Sequence, residues 1–389
     1  MALNKERYHL TGTPRVYCDL VQYFKAIGKQ TMTKRSWANS NQFYPSQTPD
    51  NWGMNPSRII PREILNVGVN ENGVKLEDII VFGEEVDVID NDPFVVEPVS
   101  KDLRKLMYSV NYFGILGHNI ASLNFDAFQK IELQYQYDDE SFTGLSTYTP
   151  VIASFDGSNV GADGDGTFLA TCSGWNPSAT PDNARGFRII NYLAGDSVDM
   201  QIGNSLEIGS YTLGHYYDFP HSPNMEVSIS YGFDGIKRTR TMNGTDLIQI
   251  NYLKSKWGKY APFATSTGYD KQALPDVGLK GRRTIDMNFD FLSESDTFPK
   301  NIHQNTFVQD TYADADGHYA GFDYDEDGHN TNILGNYLNM TLGGNLTHIL
   351  QLDSTAHDFM LVKLDGSGTS ITQKSPKLYS CRLRFVEQF

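Results

Sequence analysis

The chain has 389 residues, of which 12% are aromatic and 34 are glycine, and its formal net charge is −15. That length accommodates two domains or one elaborated β-domain, and 39% hydrophobic residues suffice for a core, which excludes wholesale disorder. An acidic balance with a pI near 5.0 argues against a protein that wraps nucleic acid, because that affinity rests on neutralising phosphates.

Glycine with many Asn, Asp, Ser and Thr residues, and little sustained helical periodicity, points to short strands joined by turns: an all-β class. Residues 1–65 read as an irregular N-terminal arm. Within it, 14–28 form either a short helix through Val16, Leu20, Phe24 and Ile27 or an extended piece. Trp37 and Trp52, in the proline-punctuated stretch 37–61, are anchors that plug into a surface, of a neighbouring subunit or of the same chain. Cys18, Cys172 and Cys381 have no CxxC spacing, which argues against a disulfide scaffold and for assembly in a reducing cytoplasm. The opening MALNKERYHLTGTPR has no apolar signal core, and the longest uncharged stretch, 109–125, is too short for a bilayer span. Membrane insertion is not expected.

From 66 to 222 the chain reads as successive strands. Ile79, Ile80, Val81 and Phe82 lie within the first. Tyr112, Phe113, Ile115 and Leu116 form a nearly continuous apolar run, suited to a strand buried on both faces. Ile131, Leu133, Tyr135 and Tyr137 then alternate with Glu132, Gln134 and Gln136, which suits a strand with one wet face. The segment 187–193 comes next, then Leu206 and Ile208 leading to Gly209. Between these strands, 138–185 is a polar loop with GADGDG at 161–166, where such a fold places variable or binding surface.

The order of these parts carries a resemblance. An apolar strand ends in Leu116-Gly117-His118-Asn119 and an amphipathic strand follows it. GFRIINY at 186–192 precedes SLEIGSYTLGHYYDFP at 205–220, with Ile208, Gly209, Leu213, Gly214 and Pro220 in the closing pattern. This arrangement resembles the galactose-binding-like (discoidin-type) jelly-roll domains of tail and baseplate proteins of tailed bacteriophages. The resemblance implies a jelly-roll, or β-sandwich, domain at 66–222. It further implies a structural virion protein, a tail-tip, baseplate or tail-adaptor subunit, assembled in the host cytoplasm into the particle. Its partners would be copies of itself and neighbouring tail proteins, with no enzymatic activity.

The remainder, 223–389, reads as a second antiparallel β-region with a long polar loop at 293–334. Met225, Val227, Ile229 and Tyr231 alternate with Glu226, Ser228 and Ser230. Asp234-Gly235 and Asn243-Gly244 supply two turns, so 225–253 is expected as a three-stranded meander. Ile285, Met287, Phe289 and Phe291 alternate with acidic or polar residues, giving a strand with one buried face. At the end, Tyr379, Cys381, Leu383 and Phe385 face one way and Ser380, Arg382 and Arg384 the other. Lys237-Arg238-Thr239-Arg240 and Lys280-Gly281-Arg282-Arg283 are short basic runs without interleaved aromatics, read as solvated or interface-facing strand residues rather than a nucleic-acid site.

Candidate chemistry is sparse. Asp323, Asp325, Asp327 and Gly328 match the first half of a calcium loop, but Leu334 stands where the bidentate Glu belongs. Calcium would need oxygen ligands from elsewhere in the chain, and a solvated acidic loop is the plainer reading. Asp163 and Asp165 make a weaker version of the same pattern. His118 reads as a strand-capping histidine, and the spacing of His215 and His221 fits no standard zinc signature. No cofactor is expected, and G-x-S-x-G, H-E-x-x-H and P-loop motifs are absent. Tyr148, Trp175, Tyr216 and Tyr217 lie in or beside loops and could stack on sugar rings, although aromatics serve protein interfaces equally well. Two rivals to a tail structural role therefore stand: a receptor-recognition fibre module that binds a host glycan, and a capsid decoration or neck protein.

Overall fold

The computed structural model describes residues 12–37, 52–54, 63–65, 75–84, 97–98, 107, 110–116, 128–137, 142–144, 148–150, 167–172, 184–193, 206–233, 236–250, 282–298, 332–355, 359–366 and 369–388. In chain order the N-terminal half holds β1 (Arg15–Asp19), α1 (Leu20–Ala26), β2 (Gln30–Trp37), β3 (Glu63–Leu65), β4 (Lys75–Glu84) and β5 (Glu97–Pro98). Next come β6 (Tyr112–Leu116), β7 (Phe128–Tyr137), β8 (Phe142–Gly144), β9 (Tyr148–Pro150), β10 (Thr167–Cys172), β11 (Ala184–Leu193), β12 (Leu206–Ile208) and β13 (Ser210–Asp218). The rest comprises β14 (Ser228–Gly232), β15 (Ile236–Arg240), β16 (Asp246–Ile250), β17 (Arg282–Ser293), α2 (Glu294–Thr297) and a π-helical turn (Ile333–Asn339). It closes with β18 (His348–Gln351), β19 (Phe359–Leu364), β20 (Ser370–Ser375) and β21 (Leu378–Glu387). Among the described residues no helix is long and apolar enough to cross a membrane.

The fold is all-β and every ladder between these strands is antiparallel. An 11-stranded sheet runs β14-β17-β21-β19-β18-β1-β13-β6-β10-β9, with β20 on β21; a 6-stranded sheet runs β2-β4-β11-β7-β8, with β5 on β4. The two sheets close on one core in the manner of a sandwich. Ile80, Phe82, Leu133, Tyr135, Phe187 and Ile189 of the smaller sheet meet Phe113, Phe168, Tyr211 and Leu213 of the larger. Each such fully buried side chain stabilises the fold by about 1.5–3 kcal/mol. A second cluster, with Tyr17, Tyr112, Leu169, Ile349 and Leu361, covers the opposite face of the large sheet.

Strand β6 is buried at all of its positions, as a continuous apolar run requires when both faces are covered. Strands from 66–222 divide between the two sheets apart from β12, which pairs with β3, and the large sheet continues across the expected boundary at 222/223 into β17–β21. The N-terminal segment departs from an irregular arm. Strand β1 sits between β13 and β18 in the middle of the large sheet, with Val16 and Cys18 in one core and Tyr17 in the other. Five residues that begin with Arg and end with Asp carry no readable periodicity, because both of their faces are covered.

Asp19 then switches the chain from strand to helix. Its carboxylate accepts from the Val21 (2.8 Å) and Gln22 (3.3 Å) amides, the capping arrangement that starts α1. Gly28, at φ 79°, ends the helix. The Gly28 amide donates to the Lys25 carbonyl at 3.3 Å and the Lys29 amide to that of Phe24 at 3.0 Å, a Schellman closure. Gly214 faces this switch across the ladder. A Cβ there would strike the Cys18 carbonyl and reach within 2.8 Å of the Leu20 amide, so only glycine lets β13 approach so closely.

Two sequence expectations change in the C-terminal region. Among the described residues the expected meander over 225–253 is not seen: β14 pairs with β17, while β15 and β16 pair with each other, around the turn at Asn243-Gly244. Strand β17 keeps Ile285, Met287 and Phe289 inside, but a register shift between Phe289 and Leu292 reverses the facing of the residues beyond it. Leu292 is buried and Phe291 is 80% exposed at φ 63°. The bulge absorbs one extra residue and turns the side chain expected in the core out to solvent.

Candidate interaction surface

Alternation along β13 separates the two describable members of the expected aromatic platform. Tyr217 points into the inter-sheet core at 3% exposure, edge-on to Phe219 with centroids 5.2 Å apart. Burial pushes its phenol well above the ordinary range. Tyr216 lies on the other face, half-buried beneath the Arg15 guanidinium at 4.2 Å. Arg15 is itself held by Asp218 through a fork, 2.5 Å from Nε and 2.8 Å from the terminal nitrogen. A single sugar-stacking platform through Tyr216 and Tyr217 is therefore excluded: one ring is inside, and the other faces the opposite side under a cation of its own chain. Tyr148 lies in β9, a strand rather than a loop, and its side chain falls outside the described residues, as do Trp175, His118, Asp163, Asp165, Asp323, Asp325 and Asp327.

The described histidines are His215, His221 and His348. His215 is buried in β13, and His221 Nδ1 lies 2.8 Å from the Ser222 carbonyl. His348, which no sequence pattern singled out, is wholly buried. Its Nδ1 lies 2.9 Å from the Leu346 carbonyl and its Nε2 2.9 Å from the Tyr337 hydroxyl. The neutral ring satisfies both contacts, donating through Nδ1 and accepting through Nε2. Desolvation lowers its pKa to about 4. Cys18 and Cys381 are free and buried, and burial raises both thiols. Among the described residues no group of three or more His, Cys, Asp and Glu side chains could hold a metal.

Trp52 is an anchor, as its surroundings in the sequence suggest, and its socket belongs to its own chain. It is 2% exposed against Tyr211, with rings 4.9 Å apart. Around it, Gly53 donates to the Tyr211 carbonyl (2.8 Å), Ser210 to the Gly53 carbonyl (2.6 Å) and Lys25 to the Trp52 carbonyl (2.9 Å). The Met54 amide donates to the Asp19 carboxylate. Desolvation pushes that buried carboxylate up to about 6, while donors from Met54, Gln22 and Val21 hold it down.

The surface with the clearest potential for recognition lies at the β14 end of the large sheet. Val227 packs on the core and Ile229 stands opposite buried Ile285 in the β14–β17 ladder. From there the apolar row continues without cover through Ile229, Tyr231 and Phe233. Every residue of β14 and β15 is exposed. In the β15–β16 hairpin, Ile236, Met242, Leu247 and Ile248 are exposed as well. Cross-strand register places Arg238 opposite Ile248, on the same face as Ile236 and Arg240. Met225 and Phe291 are exposed too, and the Asn224 amide donates to the Asn288 carbonyl (2.8 Å) beside the bulge. Scattered exposed apolar residues are ordinary, but a contiguous strip along a strand edge marks an interaction surface. Compared with protein-family models, curated proteins and solved structures, the chain finds no match in any of the three.

Proposed function

We propose that this chain is a structural virion protein of a tailed phage, a tail-tip, baseplate or tail-adaptor subunit that works by assembling with copies of itself and neighbouring tail proteins. The observation that carries an assembly role is the core-facing row of β14, which continues as exposed Ile229 and Tyr231 beyond anything among the described residues that covers it. A soluble monomer gains nothing from such a row, whereas a subunit interface buries it. The tail assignment draws its support from the order of strand segments over 108–138 and 186–220. The division of most strands from 66–222 between two facing sheets supports the jelly-roll part of that reading.

A mass measurement by light scattering, followed by electron microscopy of the same sample, tests the proposal. A discrete multi-subunit ring supports it. A chain that remains at 43.7 kDa at all concentrations counts against it. Glycan recognition through a Tyr216–Tyr217 platform is not carried forward, because those rings lie on opposite faces of β13.

A further inference from the structure

The β15–β16 hairpin lacks what normally holds a hairpin in water. Two strands alone are marginal, and a third strand or a packed face is needed for stability. Among the described residues β15 and β16 pair only with each other, and all of 236–249 outside its half-covered Thr241 is exposed. Both outer edges of the hairpin present unpaired backbone groups, and so does the outer edge of β14, a few residues earlier in the chain. The hairpin also differs in charge from the chain that bears it. Lys237, Arg238 and Arg240 oppose a single carboxylate, Asp246, while the chain as a whole has 47 acidic and 32 basic residues.

We propose that the β15–β16 hairpin is an arm that docks onto the acidic body of a second copy of this chain. This rests on the assembly reading and adds the surface and the occupant. The occupant follows from charge complementarity, since a basic apolar hairpin matches the excess negative charge of its own kind. A hairpin-to-hairpin contact through the Ile236 face would bring Arg238 and Arg240 against their own equivalents, and like charges face to face are disfavoured. A hairpin-to-body contact joins unlike surfaces. Ile236 and Ile248 provide the apolar part of the contact on the face that also carries Arg238 and Arg240.

The test uses the full chain and two variants confined to exposed positions: Lys237→Glu with Arg238→Glu and Arg240→Glu, and Ile236→Ser with Ile248→Ser. Both retain the wild-type thermal transition because none of these side chains enters the core. Wild type is expected as a multi-subunit species whose mass falls as salt is raised. Each variant is expected at 43.7 kDa. Mixed in equal amounts with wild type, the charge variant still accepts a wild-type hairpin and caps it, giving short oligomers. Failure of the mixture to form heteromers would overturn the hairpin-to-body contact. Variants with the wild-type mass would overturn the hairpin as the docking element and leave the assembly reading intact. A wild type that stays monomeric would overturn both. A monomer whose hairpin instead binds anionic vesicles or duplex DNA would overturn the second copy as occupant.

Discussion

Ile229 and Ile285 face each other across the β14–β17 ladder, yet Ile285 is 1% exposed and Ile229 is 44% exposed. One rung separates a closed core from an open one. Ile285→Ala should destabilise the chain by about 3 kcal/mol, a transfer loss plus a cavity. Ile229→Ser should change it by less than about 0.5 kcal/mol, as for an exposed site. Urea denaturation of the two variants at a concentration where the chain is monomeric checks the contrast. Equal losses at both positions would mean that Ile229 is covered.

Phe291 combines a left-handed backbone with an exposed aromatic ring. A bulky residue at positive φ costs on the order of 1–3 kcal/mol, and glycine removes that strain while adding some unfolded-state entropy. Phe291→Gly should therefore stabilise the monomer by about 1 kcal/mol. If the ring is retained for contact with a neighbour, the same change should weaken assembly. A shift in the denaturation midpoint and a mass measurement read the two effects separately.

Gly214 is the tightest point between β13 and the strand-to-helix switch at Asp19. Gly214→Ala forces the Cys18 carbonyl and the Leu20 amide apart in a region buried on both sides. The expected loss is about 3 kcal/mol, the upper part of the range for overpacking. Thermal unfolding of the variant measures it, and an unchanged midpoint would contradict the close approach.

Two buried groups respond to acid in opposite directions. The pKa of His348 falls from 6.5 to about 4 on folding, so its contribution is complete above 6.5 and is lost as pH falls through about 4. The pKa of Asp19 rises from 3.8 to about 6, so its contribution is complete below 3.8 and is lost as pH rises through about 6. Between these limits the two offset each other. In His348→Gln only the Asp19 dependence remains. The stability difference between wild type and this variant should shrink by about 3 kcal/mol from pH 7 to pH 4. A difference that stays constant with pH would show that His348 titrates normally in the fold.

Elements with one covered face, or with a long apolar run, were legible in the sequence. The alternation of Cys381, Leu383 and Phe385 with Arg382 and Arg384 holds in β21, and Leu133 and Tyr135 of β7 lie inside as their spacing requires. What escaped was pairing between distant segments. Asp234-Gly235 favours a local hairpin, but the edge of β17 offered β14 a partner that joins Ile229 to a sheet already holding a core. The bulge at Phe291 carries no Gly or Asn to announce it. Of the aromatic set, Tyr216 and Tyr217 are adjacent in sequence and for that reason lie on opposite faces of a strand. The interaction surface was partly visible, since its alternating residues are plain in 225–231; its openness depends on which strands stop short, and that is a property of the whole sheet.

The position of β1 also governs the order in which the molecule can be made. Tyr17 lies between Tyr216 and Ile349, and its hydroxyl donates to a glutamine 334 residues further along the chain. At about 5–20 residues per second, a ribosome needs roughly 15–70 s to deliver that partner after Tyr17 has been synthesised. Throughout that interval Arg15, Val16 and Tyr17 lack their partners in β18. The emerging chain therefore carries the middle of its largest sheet unfinished until residues 348–351 are made, and closure of that sheet waits on them.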